Sequence, residues 1–153
     1  ESGLLISGSC DGDLHMRNLQ RLRTRSRRMF PSGEDEDSSC VDVVKIISQH
    51  EFFSSSQGFV RLWDLRRNNE CVQGFRAHAG CAFGFYFDEP WRVMTGSYFD
   101  ECITTYDLRM QRIHSRFNMD QPVCSLDSEW VRLVVGHVGE FSILDFGARL
   151  IPS

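Results

Sequence analysis

Short stretches of alternating apolar and polar residues run along most of the chain, and the clearest is FVRLWDLRR at residues 59–67. Its VRLWDL core alternates apolar and polar residues over 60–62, contains Trp63 and closes on Asp64 followed by Leu65, and a basic pair follows. Such alternation predicts a half-buried β-strand. No stretch of about twelve residues combines a helical hydrophobic period with capping residues, so the sequence predicts an all-β protein.

The same pattern occurs four times along the chain. The segments are SGSCDGDLHMRNL (7–19), FSSSQGFVRLWDL (53–65), GSYFDECITTYDL (96–108) and VGHVGEFSILDF (135–146). Each passes through a turn signal with Gly or Asp and closes on a polar residue followed by an apolar one. The closing residues Asn18, Asp64, Asp107 and Asp145 lie 46, 43 and 38 residues apart. A period of about 40–45 residues with several short strands is typical of a β-propeller blade.

The motifs RLWDL, SGSCDG and TGSYFD, together with His78 fourteen residues after Asp64, resemble WD40 repeats. The resemblance covers nearly the whole chain as about three and a half repeats. It implies a partial WD40 β-propeller that is a fragment of a longer protein with more repeats upstream. Within this propeller, 1–19 ends one blade, 20–65 forms a blade with a charged insertion, and 66–108 and 109–153 form two further blades. Because each blade buries its faces on its neighbours, we expect open apolar flanks and self-association of this segment alone.

The resemblance also implies a structural hydrogen-bond network inside the blades. In WD40 repeats it joins a His before the first strand, a Ser or Thr on the second, an Asp in the next turn and a Trp on the third. The residues assigned to such positions here are His78, Thr95 or Ser97, Asp100, Tyr106, Trp63 and Asp64. A tyrosine hydroxyl points elsewhere than an indole N–H, so we expect the network to be incomplete at Tyr106.

Composition narrows the function classes. The net charge of −4 is too small to indicate binding to nucleic acid or to an anionic membrane. The six cysteines are far apart without a C-x-x-C pair, so the spacing predicts no metal site, and we expect no cofactor. Five of the six lie in or beside apolar runs, which favours reduced core thiols in a cytoplasmic or nuclear protein over disulfides in a secreted one. No G-x-S-x-G motif or histidine pair indicates an enzyme.

Residues 20–40, QRLRTRSRRMFPSGEDEDSSC, combine a basic and an acidic run. One interpretation is an outer edge strand, LRTRSRRMF, that is protected by charge and followed by an acidic surface turn. A second is a docking or regulatory segment, in which Ser26 and Ser32 are candidate phosphosites. A third is a nuclear localisation signal in RTRSRR.

The loops of a propeller alternate between two faces, and sorting the charges by loop predicts one acidic face and one face with arginine and tryptophan. Arginine and tryptophan are common interface anchors, and the sequence alone leaves open which of the two faces contacts partner proteins. The candidate partner-binding residues are Arg66, Arg67, Trp91, Arg92, Trp130 and Arg132 on the second face, and Glu34, Asp35, Glu36 and Asp37 on the acidic one.

The leading functional hypothesis is therefore a non-enzymatic protein–protein interaction platform. The last two repeats and the ending SILDF are most similar to F-box/WD-repeat proteins, especially the dactylin-like branch. This similarity implies the substrate-recognition part of an F-box-type (SCF) ubiquitin ligase, which would reach Skp1 and cullin subunits through an F-box upstream of Glu1. The alternative is a WD40 scaffold subunit of another multiprotein complex. An enzyme on an all-β scaffold is a further hypothesis, which no paired residues support.

Overall fold

The computed structural model describes residues 3–19, 27–29, 40–67, 71–88, 91–129 and 132–145. Within these ranges the chain forms fourteen strands in four antiparallel sheets and no helix, which confirms the all-β prediction. No described segment is therefore a helix long and apolar enough to cross a membrane. The chain divides into two compact units, residues 1–76 and 77–153.

The first unit contains two sheets. The first sheet has the order β1 (Leu4–Gly8), β2 (Leu14–Asn18) and β3 (Arg27–Met29). The second sheet has the order β4 (Val43–Ile46), β5 (Glu51–Ser56), β6 (Phe59–Asp64) and β7 (Cys71–Arg76). Consecutive strands pair as neighbours in both sheets, as expected for strands joined by short turns.

The second unit repeats this arrangement. The third sheet consists of β8 (Ala82–Asp88), β9 (Arg92–Ser97), β10 (Cys102–Asp107) and β11 (Arg112–Asn118). The fourth sheet consists of β12 (Ser125–Glu129), β13 (Arg132–Gly136) and β14 (Phe141–Asp145). The third sheet also has the same irregularity as the second, since the register shifts at Tyr106 opposite β11 as it does at Trp63 opposite β7.

The closing residues of the sequence period are the last residues of four strands, β2, β6, β10 and β14. Each of the first three sheets continues by one strand beyond this point, because β3, β7 and β11 pair with β2, β6 and β10. The sequence segments that begin at residues 20, 66 and 109 are therefore offset from the sheets by one strand. The offset arises because a short turn folds the next strand back onto the strand that ends at the closing residue.

The charged insertion is described only at residues 27–29, which form β3 at the edge of the first sheet. This backbone pairing agrees with the edge-strand interpretation of LRTRSRRMF. The candidate phosphosites Ser26 and Ser32 and the acidic run at 34–37 lie outside the described residues.

Two hairpin turns show how the backbone reverses. Gln57 and Gly58 have φ angles of 45° and 79° between β5 and β6, the combination that a two-residue type I′ turn requires. The β9–β10 turn is longer, and its last residue, Glu101, has a φ of 48°. Left-handed backbone is unfavourable for residues with a Cβ, so Gln57 and Glu101 hold some strain.

Each unit has its own buried cluster. Leu14, Phe52 and Trp63 form the core of the first unit, where the rings of Phe52 and Trp63 stack with centroids 6.0 Å apart. In the second unit the core comprises Ile103, Val123, Leu126, Leu133 and Val135. These residues come from β10, β12, β13 and the connection before β12, so the core of the second unit lies between the third and fourth sheets.

The two sheets of the second unit approach closely at a pair of glycines. Gly84 on β8 and Gly96 on β9 are register partners, and they face Leu126 and Val123 respectively. A Cβ at Gly84 would lie 2.7 Å from Cγ and 3.2 Å from the backbone nitrogen of Leu126. These positions therefore require glycine because of the packing between sheets.

The cysteines differ from the expectation of core thiols. All six are free, but only Cys102 is buried, Cys71, Cys81 and Cys124 are half-buried, and Cys10 and Cys40 are exposed. Cys10 lies in a turn and Cys40 precedes a strand, so neither occupies an inward-facing strand position. Proximity to an apolar run therefore did not predict burial.

We expect Gly84→Ala to destabilise the protein by about 1–3 kcal/mol, because the added methyl group overpacks Leu126. Gly74→Ala is the matched control, since its Cβ would meet nothing nearer than 3.8 Å. Urea unfolding curves of the two variants measure the difference. Equal stability of both variants would contradict the close packing of the third and fourth sheets.

Candidate functional site

A buried hydrogen bond links two neighbouring strands of the second sheet. The indole N–H of Trp63 on β6 donates to the hydroxyl oxygen of Ser54 on β5 at 2.9 Å, and both residues are buried. An unpaired indole N–H in this core would cost about 1–3 kcal/mol, so the bond stabilises the sheet.

In the third sheet, Thr95 is equivalent to Ser54 and contacts a histidine instead of an indole. His78, buried just before β8, places its Nε2 2.8 Å from the hydroxyl and 3.1 Å from the carbonyl oxygen of Thr95. Its Nδ1 lies 3.5 Å from a carboxylate oxygen of Asp100, and this oxygen accepts the N–H of Ala79 at 2.7 Å. Of the two predicted hydroxyls, Thr95 contacts His78, whereas Ser97 donates to the carbonyl of Cys81 and accepts the N–H of Asp100.

The predicted network is thus divided between two sheets. Trp63 and Ser54 form one half, and His78, Thr95 and Asp100 form the other, while Tyr106 occupies the position of Trp63 in the third sheet. Sequence reasoning missed Ser54. The strand register shows the equivalence, since Ser54 lies three residues after the partner of Asp64, and Thr95 lies three residues after the partner of Asp107.

Two further side chains join the His78 cluster. The thiol of Cys102 lies 3.6 Å from Nδ1 of His78. From the outer strand β11, Arg116 donates to the carbonyl of Ala77 at 3.0 Å and to the hydroxyl of Thr104 at 3.3 Å. Burial lowers the pKa of His78 below its ordinary value of 6.5, although the carboxylate of Asp100 opposes this shift. The imidazole therefore favours the neutral form at pH 7.

The closing aspartates hold the turns that follow their strands. Asp64 accepts the backbone N–H of Arg66 at 3.0 Å, and Asp107 accepts that of Arg109 at 2.8 Å. The side chain of Arg66 also forms a forked ion pair with Asp64, with N···O distances of 2.8–3.2 Å. These hydrogen bonds lower the pKa of Asp64 to about 2, and backbone N–H groups lower that of Asp107. A physical reason for the recurring Asp-Leu signature is therefore turn closure.

Several candidate partner-binding residues are already paired within the chain. Arg66 pairs with Asp64, and Arg132 lies 3.4 Å from Asp145. Arg67 and Arg92 are exposed. The indole of Trp91 is 44% exposed, and the guanidinium of Arg109 lies 5.6 Å from its ring centroid. Trp130 and the four acidic candidates, Glu34, Asp35, Glu36 and Asp37, lie outside the described residues.

The opposite end of the third and fourth sheets carries an exposed apolar surface that the sequence analysis did not single out. We use the name Phe99 surface for the exposed apolar residues of this end, Tyr98, Phe99, Val138 and Phe141, together with the exposed acidic residues Glu101, Asp120 and Glu140. Phe99 and Phe141 are each 68% exposed. Tyr98 and Phe99 lie in the β9–β10 turn, and Val138 lies in the β13–β14 turn. An alternation pattern does not predict the exposure of aromatic residues in turns.

A second histidine, His137, holds the connection that precedes β12. Nδ1 of His137 donates to the carbonyl of Pro122 at 3.0 Å, and Nε2 accepts from the hydroxyl of Ser142 at 3.0 Å. The backbone N–H groups of Val123 and Cys124 donate to Ser97 and Gly136, so the connection before β12 is tied to both hairpins. The connection before β12 is therefore held by hydrogen bonds from its backbone and from His137.

Comparison with known proteins gives relatives but no family model, since no protein-family model matches the chain. Dynein axonemal assembly factor 10 of Xenopus tropicalis is 26% identical over 160 residues, which cover 92% of this chain and 44% of that protein. GATOR2 complex protein WDR24 of Homo sapiens, a WD40-repeat protein, is 32% identical over 117 residues, which cover 73% of this chain and 14% of that protein. The chain spans less than half the length of both relatives.

Solved structures are similar over nearly all of the chain. In a crystal structure of the mitotic checkpoint complex, one chain matches with a TM-score of 0.74 and 16% identity, over 95% of this chain and 48% of that chain. The fold is therefore that of a partial WD40 β-propeller, as the repeat period predicts. The similarity to F-box/WD-repeat proteins of the dactylin-like branch is not shown by these comparisons.

We expect Thr95→Val to destabilise the protein by about 1–2 kcal/mol, because it removes the hydroxyl from Nε2 of buried His78. Thr105→Val is the control, because the buried Thr105 hydroxyl has no hydrogen-bond partner among the described residues, so its loss is neutral or stabilising. Thermal and urea unfolding of both variants, with Thr95→Ser as the conservative rescue, provide the measurement. Equal losses in the two valine variants would contradict the His78–Thr95 bond.

We expect Arg66→Gln to raise the pKa of Asp64 from about 2 toward 3.8, because the side chain of Arg66 is the main cause of the shift. Since the folded pKa is depressed, the stabilisation is present above pH 3.8 and is lost as the pH falls toward about 2. Carboxyl NMR titration measures the pKa directly. Arg67→Gln is the matched control and leaves the titration nearly unchanged, whereas equal shifts in both variants would exclude the forked pair as the cause.

Proposed function

We propose that the chain is a non-enzymatic interaction scaffold, a WD40 subunit of a multiprotein complex. Its relatives support this proposal, since one is a protein of the GATOR2 complex and another is an assembly factor. The buried histidine of the described site also supports it, because His78 is held by neighbouring groups of its own sheet. In such a fold, function depends on the surface that partner proteins contact.

The observation that carries the proposal is the Phe99 surface. Exposed aromatic side chains such as Phe99 and Phe141 are costly in water and are enriched in protein interfaces. Three acidic residues, Glu101, Asp120 and Glu140, flank the apolar side chains. The net charge of this surface favours a partner segment that combines an apolar anchor with lysine or arginine.

The Trp91 side chain at the opposite end offers a second candidate contact. Its ring is covered in part by Arg109, and Arg109 in turn lies 3.6 Å from Asp107. Trp91 is 44% exposed, whereas Phe99 is 68% exposed and offers a partner a larger fraction of its side chain. We therefore propose the Phe99 surface as the main contact and use Trp91 as the reference position.

The narrower hypothesis of an F-box-type ubiquitin ligase subunit stays a prediction. The relatives support a scaffold role better than a substrate-recognition role. A ligase subunit would bind Skp1 and cullin proteins through an F-box, whereas a scaffold subunit would bind the fixed partners of its own complex. The two hypotheses therefore differ in the proteins that co-purify.

We expect the tagged full-length protein to co-purify from its cells with a small set of proteins in fixed ratio. Phe99→Ser should reduce their recovery by about tenfold, because an interface anchor contributes about 1.4 kcal/mol or more. Trp91→Ser is the matched control, since it removes an exposed aromatic residue from the other end. Quantitative mass spectrometry of the purified material, at low and high salt, gives the measurement.

Unchanged recovery with Phe99→Ser would contradict the assignment of this surface. Fixed recovery of Skp1 and a cullin would replace the scaffold proposal with the ligase hypothesis. A purified protein that turns over a substrate, and loses this activity on a single side-chain change, would contradict the non-enzymatic proposal.

A further inference from the structure

The two exposed cysteines of the chain lie on either side of one backbone hydrogen bond in the first unit. The N–H of Val41 donates to the carbonyl of Ser9 at 3.0 Å. Cys10 follows this carbonyl along the chain, and Cys40 precedes this N–H. All six cysteines lie in the described ranges, and the other four are buried or half-buried. The fold therefore brings together the two cysteines that are most accessible to solvent.

Peptide geometry limits the distance between these two residues. Because each Cα belongs to one of the two hydrogen-bonded peptide groups, standard dimensions place the Cα atoms of Cys10 and Cys40 about 4–7 Å apart. Disulfide bonds join residues whose Cα atoms are about 4.4–6.8 Å apart. Both side chains are exposed, so each can change its χ1 rotamer without disturbing a packed core. The spacing therefore suits a disulfide bond between them.

Further hydrogen bonds hold the backbone on both sides of the pair. The carbonyl of Ser9 also accepts the N–H of Gly12 at 3.2 Å, and the N–H of Ser9 donates to the carbonyl of Asp13 at 2.9 Å. These bonds close the turn that carries the first cysteine. The N–H of Asp42 donates to the carbonyl of Ser55 at 2.8 Å, which ties the chain after the second cysteine to β5. The two thiols are therefore held near one another before they react.

The second unit contains the same backbone contact without the thiols. There the N–H of Val123 donates to the carbonyl of Ser97 at 3.2 Å, which matches the bond of the first unit. The residues that follow this carbonyl and precede this N–H are Tyr98 and Pro122. The backbone contact therefore follows from the fold, whereas the pair of cysteines beside it is specific to the first unit.

We propose that Cys10 and Cys40 are a redox-modification site, at which a low-molecular-weight disulfide such as oxidised glutathione introduces a reversible disulfide bond. The thiolate of one cysteine attacks a sulfur of the oxidant, whose S–S bond breaks, and the first thiol leaves with the electron pair. The thiolate of the other cysteine then attacks the protein sulfur of this mixed disulfide and releases the second thiol. Two protein thiols are thus oxidised, and the oxidant is reduced to two thiols, which take up the two protons.

The disulfide bond would join the first and second sheets of the first unit. It links the β1–β2 turn to the connection before β4, beside the contact where a Cβ at Gly8 would overlap Val41. Because a disulfide bond restricts the unfolded chain, we expect the oxidised form to unfold at a higher temperature than the reduced form. Disulfide bonds at exposed positions are reduced more readily than buried structural ones, so this bond is reversible under reducing conditions.

Tryptic peptide mapping of the full-length protein tests the site. After equilibration with reduced and oxidised glutathione, the remaining thiols are blocked by alkylation and the protein is digested without reduction. Cleavage at Arg17, Arg28 and Lys45 places the two cysteines on separate peptides, so a linked peptide identifies the disulfide bond directly. We expect this peptide to exceed the glutathione adducts of the same cysteines by more than about tenfold, because the second thiol reacts at a high effective concentration. The oxidised form should have the higher thermal unfolding midpoint, and dithiothreitol should reverse both effects.

Cys10→Ser should abolish the linked peptide and the rise in the unfolding midpoint, and it should leave Cys40 as a glutathione adduct. Cys124→Ser, at a half-buried cysteine, is the matched control and should retain both effects. Glutathione adducts on Cys10 and Cys40 without a linked peptide would overturn the proposal, and so would a link confined to a disulfide-bonded dimer. If Cys10→Ser does not fold, Cys40→Ser replaces it, and the ratio of linked peptide to adducts in the unsubstituted protein decides.

Discussion

A four-stranded sheet is too thin to shield its own faces from water, and this constraint governs the second unit. On one face of the third sheet, Ile103 is buried because Leu126 of the fourth sheet and Val123 of the connection before it pack there. This approach is possible because Gly84 and Gly96 present no Cβ at the contact. Successive side chains of a strand point to opposite faces, so Thr95 and Ser97, which flank Gly96, lie on the other face of the third sheet.

Burial of polar groups then has to be compensated within each sheet, and the two four-stranded sheets do this differently. The second sheet uses an indole donor and a serine hydroxyl, and the third uses an imidazole between a threonine and an aspartate. Neither sheet needs the full set of four groups, because the indole of Trp63 and the imidazole of His78 each have a partner within their own sheet. Degenerate repeats can therefore keep the fold while losing the residues by which the repeat is recognised.

The sequence predicted the parts of the structure that follow from period and turn chemistry. The strands that end at Asp64 and Asp107 were found because alternation and turn closure leave a strong local pattern. The one-strand offset between the sequence segments and the sheets was not predicted, because the pattern of one segment does not show which strands pair with each other. Ser54 was missed because serine is common in turns, and the exposure of Phe99 was missed because side-chain exposure in a turn depends on tertiary packing. The spacing of the cysteines also did not predict that Cys102 lies close to His78, because the fold brings two distant parts of the chain together.

The left-handed backbone at Gln57, Glu101 and Gln111 has a practical consequence for anyone who wishes to produce this protein. Glycine or asparagine adopts such angles with less strain than glutamine or glutamate, and each exchange commonly contributes a few tenths of a kcal/mol or more. Substitutions in these turns are therefore expected to raise the thermal stability of the protein. Engineering for heat resistance can begin at Gln57 and Gln111, which are not members of the buried clusters or of the His78 network.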